Sequence, residues 1–273
     1  MSRKHTNPNY KTRTMKSRQL SAVWIVALVL FGEFGLPVVA WGIENVPDGQ
    51  KSEIKKVERI NTAIVPEPRK RRKNWMTRHA EFNARAKKGS IDLVFLGDSI
   101  TEEWSVAGKD VWEKYYGSRK AVNFGFSGDR TQHILWRVDH GNVDGIEPKL
   151  VVLMIGTNNY TANSAEEISA GIAAVVERLK SKLPKSKILL MGLLPRDDAR
   201  EATREMFAQI NHQIAKLADD KTVYFLDISD RILTKDGAVS TEAMPDLVHL
   251  GEKGLEIWAE AIEPYVVKLL GPR

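Results

Sequence analysis

Five short apolar runs recur along the chain, and longer amphipathic stretches separate them. The runs cover residues 93–96, 121–124, 150–155, 188–194 and 223–226. A short unbroken apolar run that ends at a glycine or a polar residue is typical of a strand buried on both faces. We therefore predict five strands of one parallel sheet.

Helical periodicity fills the intervals between these strands. It is clearest at residues 165–183 and 200–217, and a last helix is predicted at 254–270. We expect Pro264 to kink or interrupt that last helix, because proline lacks an N–H and its ring clashes with the preceding turn. Strands that alternate with helices indicate an α/β protein with a parallel sheet and helices on both faces.

The first forty residues have the pattern of a secretory leader. Six basic residues precede an uninterrupted apolar run at residues 22–31. That run is shorter than the ~20 residues that cross a bilayer, and small residues before Trp41 suit cleavage after Ala40. We predict a signal peptide at residues 1–40, and hence a secreted or periplasmic protein with no stable membrane span after cleavage. An uncleaved N-terminal membrane anchor is the alternative.

Composition is consistent with one domain behind this leader. The chain has 273 residues, of which 42% are hydrophobic, and it contains no cysteine, which excludes disulfides and cysteine nucleophiles. We place a polar lead-in at residues 41–73 and the domain at 74–273. The basic run at residues 69–73 has no interleaved aromatic residues and no nucleic-acid motif. We interpret it as solvated surface and expect no nucleic-acid partner.

Four motifs carry candidate chemistry, three of them directly after predicted strands. They are Gly-Asp-Ser ending at Ser99, Asn-x-Gly-x-x-Gly ending at Gly128, Gly-Thr-Asn-Asn containing Asn158, and Asp-x-x-His from Asp246 to His249. Open α/β sheets bind ligands at the carboxyl ends of their strands, so we expect the motifs to meet in one crevice. Each motif alone also has a structural interpretation, as a helix cap or a tight turn.

In this order the four motifs resemble those of the SGNH, or GDSL-type, hydrolase superfamily, over about residues 75–270. Further passages, at residues 123–129, 133–137 and 192–196, are similar to the catalytic subunits of the intracellular platelet-activating-factor acetylhydrolases. The resemblance implies a flavodoxin-like, three-layer α/β/α sandwich around a five-stranded parallel sheet. Because these relatives form dimers, a homodimer is expected as well.

The resemblance implies that Ser99 is a nucleophile, that His249 is its general base and that Asp246 orients the histidine. A neutral imidazole can take the serine proton near pH 7, and the carboxylate stabilises the imidazolium that results. This chemistry needs no metal and no organic cofactor. We expect Asp98 to brace the turn and His133 to be structural.

The resemblance also implies an oxyanion hole and an acyl pocket. The backbone N–H groups of Ser99 and Gly128 and the side-chain amide of Asn158 would bind the oxyanion. By analogy, Ile100 and Val248 would wall a small acyl pocket.

We therefore predict a secreted serine esterase that removes short acyl groups, acetyl first among them, from a small-molecule or glycan ester. Since the relatives are intracellular and this chain has an export signal, O-acetylated carbohydrate is favoured over a lipid mediator. One alternative is a lipase, a lysophospholipase or a lipid esterase like the platelet-activating-factor acetylhydrolases. Another, from a different class, is a non-catalytic binding protein on the same fold.

Overall fold

A computed structural model describes residues 28–31, 37–40, 59–196 and 201–272. The first two segments are short strands, β1 (Leu28–Phe31) and β2 (Pro37–Ala40), which pair antiparallel. They belong to a unit that spans residues 1–58, and a second compact unit spans residues 59–273. The rest of the predicted signal peptide lies outside the described residues. No helix in the described ranges has the length and apolar character that a bilayer crossing requires.

The second unit is built on a five-stranded parallel sheet. Its strands are β3 (Leu93–Gly97), β4 (Ala121–Gly125), β5 (Leu150–Met154), β6 (Lys187–Met191) and β7 (Val223–Leu226). They lie in the order β4-β3-β5-β6-β7, and every neighbouring pair is parallel. All residues of β3 and β5 are buried, because helices cover both faces of the sheet. The five predicted strands are confirmed, with small shifts at their ends.

Eight α-helices are found in the described part of the chain. They are α1 (Trp75–Lys87), α2 (Ser99–Glu102), α3 (Lys109–Tyr116), α4 (Thr131–Asp139), α5 (Ala165–Lys182), α6 (Glu201–Ile214), α7 (Ser229–Ile232) and α8 (Glu252–Leu270). Single turns of 3₁₀ helix lie at Thr62–Ile64, Glu103–Ser105, Thr157–Asn159 and Ala215–Leu217. The predicted flavodoxin-like α/β/α class is confirmed.

Two apolar clusters fill the space between the sheet and its helical layers. Successive side chains of a strand point to opposite faces. In β3, Val94 and Leu96 pack with residues of α1, α4, α5 and α6, whereas Leu93 and Phe95 pack with residues of α3 and α8. The central strand is therefore fixed from both sides, and so is the residue that follows it.

Pro264 was expected to kink or interrupt the last helix, and the interruption is wrong, since α8 runs without a break from Glu252 to Leu270; the kink stays a prediction. A proline inside a helix frees the carbonyl four residues earlier, which here belongs to Glu260. Pro264 and Glu260 both lie on the exposed side of α8, where water can bind that carbonyl.

The described part of the lead-in packs on the domain. Ala63 is completely buried, and its carbonyl accepts a hydrogen bond from Thr131 Oγ1 at 2.7 Å. Asn61 Nδ2 donates to the carbonyl of Glu167 in α5 at 3.1 Å. Residues 59–67 therefore pack on α4 and α5.

Candidate active site

Ser99, His249 and Asp246 form a hydrogen-bonded chain at the carboxyl edge of the sheet. His249 Nε2 lies 2.9 Å from Ser99 Oγ, and His249 Nδ1 lies 2.7 Å from Asp246 Oδ2. Ser99 is the first residue of α2, directly after β3, and His249 precedes α8. The fold thus brings together side chains that are 150 residues apart in the chain.

The loop from Asp246 to His249 is held by the Asp246 carboxylate. Asp246 Oδ1 accepts the backbone N–H of Val248 at 3.0 Å and that of His249 at 2.7 Å. Burial opposes ionisation of this carboxyl, but these bonds and the His249 ring lower its pKa to about 2. The ionised carboxylate favours a proton on His249 Nδ1, which leaves Nε2 free to accept the Ser99 hydroxyl proton. Leu247, which lies between Asp246 and Val248 in the chain, has a φ of 63°. This value is strained for leucine, and such backbone strain clusters at functional sites.

Asp98, beside the serine, caps the short helix α2. Its Oδ1 accepts the Ile100 N–H at 3.0 Å, and its Oδ2 accepts an N–H of Asn158 at 3.3 Å. The carboxyl is completely buried, which raises its pKa to about 7; the charge of Asp129 adds to this effect and the Ile100 N–H opposes it. Asp98 therefore braces the turn, as the sequence indicated.

Three donors expected to bind an oxyanion come from three successive loops. The backbone N–H groups of Ser99 and Gly128 have no hydrogen-bond acceptor among the residues that the structure describes. Gly128 has a φ of +75°, which glycine adopts without strain. Asn158 Nδ2 donates to the carbonyl of Asp129 at 3.0 Å as well as to Asp98. The Asn158 amide therefore links the loops that follow β3 and β4.

A buried ion pair supports the Gly128 loop. Arg137 Nη1 donates to Asp129 Oδ2 at 2.7 Å, and neither side chain is exposed. Arg137 also donates to the carbonyl of Phe124 and to Asn142 Oδ1, both at 2.6 Å. The second Asp129 oxygen accepts Trp75 Nε1 at 2.8 Å. Sequence reasoning missed this network, although an arginine between the apolar residues of α4 was a signal for it.

Two further predicted residues have clear placements. Ile100 is 2% exposed and belongs to the apolar cluster that contains Phe95, whereas Val248 is half-buried beside His249. The acyl pocket stays a prediction. His133 Nδ1 accepts the Arg130 N–H at 2.9 Å, so this histidine is structural at the start of α4. Within residues 59–196 and 201–272, no group of three or more histidine or acidic side chains is placed to hold a metal ion.

The basic run is only partly solvated, so the interpretation of residues 69–73 as solvated surface is wrong for Arg69. The Arg69 side chain is about one-fifth exposed, and its Nη1 donates to the carbonyl of Ser127 at 2.7 Å. The same atom lies 3.5 Å from Asp129 Oδ1. The carbonyl and the carboxylate, both distant in sequence, attract the guanidinium to the loop that carries Gly128.

A parallel α/β/α sandwich with a serine, a histidine and a carboxylate in contact at the carboxyl edge of its sheet is the arrangement of a hydrolase. The family model described as "GDSL-like Lipase/Acylhydrolase family" matches residues 95–257. The chain belongs to this family and is an ester hydrolase.

A relative of known sequence agrees with the family, and two solved structures share the fold. The chain is 34% identical over 197 residues to platelet-activating factor acetylhydrolase IB subunit alpha1 of Homo sapiens, covering 72% of this chain and 84% of the relative. A GDSL-like lipase from Bacteroides thetaiotaomicron superposes with a TM-score of 0.56 at 24% identity, covering 70% of this chain and 97% of the other. An acetylxylan esterase from Geobacillus stearothermophilus superposes with a TM-score of 0.51 at 18% identity, covering 66% and 94%. The two superpositions agree with the fold.

Proposed function

We propose that Ser99, His249 and Asp246 hydrolyse short-chain esters through a covalent acyl-enzyme. Ser99 Oγ attacks the ester carbonyl while His249 Nε2 takes its proton, and the protonated histidine then gives that proton to the departing alcohol. Water next attacks the acyl-serine with His249 again as base, which releases the acid and restores Ser99. The 2.9 Å contact between Ser99 Oγ and His249 Nε2 is the observation that carries this proposal.

The negative charge that develops on the carbonyl oxygen would be bound by Ser99 N–H, Gly128 N–H and the Asn158 amide. Removal of one such donor typically costs a factor of roughly 10²–10³ in rate, so three donors on one oxygen would be a major part of catalysis. The two backbone donors are free of acceptors within the described residues, which supports this role. The Asn158 amide donates to Asp98 and to Asp129 in the absence of a substrate. One N–H of this amide must therefore leave its acceptor to bind the oxyanion.

We infer that the acyl group is acetyl and that the alcohol is a carbohydrate. Two of the relatives, the platelet-activating factor acetylhydrolase subunit and the acetylxylan esterase, are named for the removal of acetyl groups. The predicted signal peptide at residues 1–40 favours a substrate outside the cytoplasm, where O-acetylated polysaccharides are available. Export is tested by the N-terminal mass of the protein recovered from the host, which begins at Trp41 if cleavage follows Ala40. A retained leader in the membrane fraction would instead support an anchor.

The decisive experiment compares the protein with its Ser99→Ala variant in acetate release from acetylated oligosaccharides. We expect hydrolysis to fall at least a thousandfold while the melting temperature stays the same, since Ser99 Oγ is only partly buried. Hydrolysis that persists in the variant would contradict the assignment of Ser99. If the unaltered protein releases no acetate from any ester, the non-catalytic alternative gains support.

A lipid esterase is the second candidate, and the 34% identity to the platelet-activating factor acetylhydrolase subunits favours it. A chain-length series of 4-nitrophenyl esters separates the two functions. We expect kcat/KM to be highest for acetate and to fall beyond butyrate. A rate that rises with chain length would favour a lipase or lysophospholipase over a deacetylase.

A further inference from the structure

A cavity of about 740 Å³ lies beside the Gly128 loop and is lined by residues 67–72 and His133. Four consecutive members of its wall, residues 69–72, are arginine or lysine, and Glu67 is its one acidic residue. The wall contains no large aliphatic or aromatic side chain apart from Pro68 and the histidine ring. The wall of the cavity is therefore strongly cationic.

The positive charge of this wall is largely uncompensated. Arg69 is the member that is drawn to Asp129, and the Asp129 carboxylate already pairs with Arg137. In the described part of the chain, the side chains of Lys70 and Arg71 have neither a hydrogen bond nor an ion pair. The pKa of Arg69 is lowered by burial and, against the pull of Asp129, by the nearby charges of Arg72 and Arg130. The guanidinium groups are thus close enough to repel one another, and an anion would relieve that repulsion.

His133 adds a neutral donor to the same cavity. Its Nδ1 accepts the Arg130 N–H, so the ring proton lies on Nε2. Burial, followed by the charges of Arg69, Arg130 and Arg137, lowers its pKa to about 3, which keeps the ring neutral at physiological pH. The side chain is 8% exposed and lines the cavity, and no partner of Nε2 is found among the described residues. An oxyanion in the cavity could accept this N–H.

The cavity is in contact with the Gly128 loop. A Cβ built on Gly128 would lie 2.9 Å from Arg69 Nη2, so the guanidinium packs against the residue whose N–H is proposed to bind the oxyanion. An ester bound at Ser99 would therefore place part of its alcohol near this cationic wall. A sugar acid would meet several cationic donors there, whereas a lipid chain would have no large aliphatic side chain to pack against.

We propose that residues 69–72 and His133 form a subsite for a carboxylate or sulfate group on the alcohol side of the ester, and that the substrate is an O-acetylated acidic glycan. The inference rests on the proposed function at Ser99 and adds to it the charge of the sugar chain. Cations on a largely exposed wall act through long-range attraction, so the subsite lowers KM more than it raises kcat.

The test uses the full chain and four esters: 4-nitrophenyl acetate, a neutral acetylated cello-oligosaccharide, an acetylated oligogalacturonate and an acetylated glycerophosphocholine. The cavity variant is Lys70→Gln with Arg71→Gln. The control, Lys87→Gln with Lys88→Gln at the end of α1, removes the same charge from exposed positions outside the cavity wall. The readout is the ratio of kcat/KM for the acidic ester to that for the neutral oligosaccharide.

We expect the unaltered protein to prefer the oligogalacturonate, and we expect this preference to fall about tenfold in the cavity variant, through KM, and to persist in the control. Added salt should weaken the preference as well. Equal rates on both oligosaccharides, or equal effects of the two variants, would overturn the subsite while hydrolysis of 4-nitrophenyl acetate still supported the esterase. A preference for the glycerophosphocholine ester alone would overturn it in favour of a lipid substrate. Failure to hydrolyse 4-nitrophenyl acetate and the other three esters would overturn the proposed function itself.

Discussion

The Arg137 guanidinium donates to the Asp129 carboxylate at 2.7 Å in a place where neither side chain is exposed. Asp129 directly follows Gly128 in the chain, and its own carbonyl accepts the amide of Asn158. The ion pair therefore supports two of the three donors proposed to bind the oxyanion, the Gly128 N–H and the Asn158 amide. Its geometry and the geometry of the reaction site depend on each other.

Replacement of Arg137 by methionine should destabilise the protein by about 3–5 kcal/mol, because the buried Asp129 carboxylate would lose its close cationic partner and keep only Arg69, whose Nη1 is 3.5 Å away. Urea unfolding measures this loss. Arg178→Met provides a control, since Arg178 pairs with Asp139 at the surface and such a pair is worth about 1 kcal/mol or less. Similar losses in the two variants would show that the buried pair has no special role.

The variant Asp246→Asn should lower kcat for 4-nitrophenyl acetate by about 10³–10⁴ and leave the melting temperature nearly unchanged. The asparagine oxygen can still accept the N–H groups of Val248 and His249. Its NH₂ group then faces His249 Nδ1 and favours the tautomer that carries the proton on Nε2. In that tautomer Nε2 cannot accept the hydroxyl proton of Ser99. A decrease of less than tenfold would mean that Asp246 does not set the tautomer.

Gly128→Ala should lower both stability and kcat. A non-glycine residue at a φ of +75° costs about 1–2 kcal/mol, and the added Cβ would push against Arg69 and shift the N–H of residue 128. Gly145→Ala is the matched control, because Gly145 has a φ of +79° and open space around its Cβ position. We expect both variants to melt earlier and only the first to lose activity, by at least tenfold. Full activity in Gly128→Ala would remove this residue from the oxyanion hole.

The buried Asp98 predicts a specific pH dependence of stability. Its native pKa of about 7 lies above the ordinary value of 3.8, so between these values the unfolded chain loses the proton first. This carboxyl therefore lowers the free energy of unfolding as pH rises through that window, by up to about 4 kcal/mol above pH 7.

Asp98→Asn removes this titration, although it replaces the acceptor for Asn158 by a second amide. The difference in unfolding free energy, variant minus unaltered protein, should therefore increase between pH 4.5 and pH 8. Urea titrations at the two pH values measure it. A difference that stays constant with pH would show that Asp98 has an ordinary pKa in the folded protein.

The sheet and the four motifs could be predicted because their signals are local. An apolar run such as residues 150–155 carries its own evidence for a buried strand, and the positions of Ser99 and Asn158 at strand ends place them at one edge. Arg69 was not predictable in the same way. Its carboxylate partner, Asp129, is 60 residues away, and a local pattern gives no information about such a partner.

Pro264 shows a second limit of prediction from sequence, in which a local rule is correct but its result depends on the tertiary structure. The local rule for proline in a helix is sound, but its outcome depends on whether the freed carbonyl faces water or the core. That depends on which side of α8 meets the sheet, and the position of one residue does not reveal it. Here the apolar residues of α8 fix its orientation and leave Pro264 outside.

The contact between Ser99 and His249 joins residues that are 150 positions apart in the chain. Four strands of the sheet, β4 to β7, lie between them in the sequence. A ribosome therefore finishes the nucleophile long before it makes the base, and a nascent chain that stops before residue 249 cannot cleave an ester by this route. Hydrolysis begins only when the last loop has closed over the completed sheet. The onset of ester hydrolysis can thus report when the final step of folding is complete.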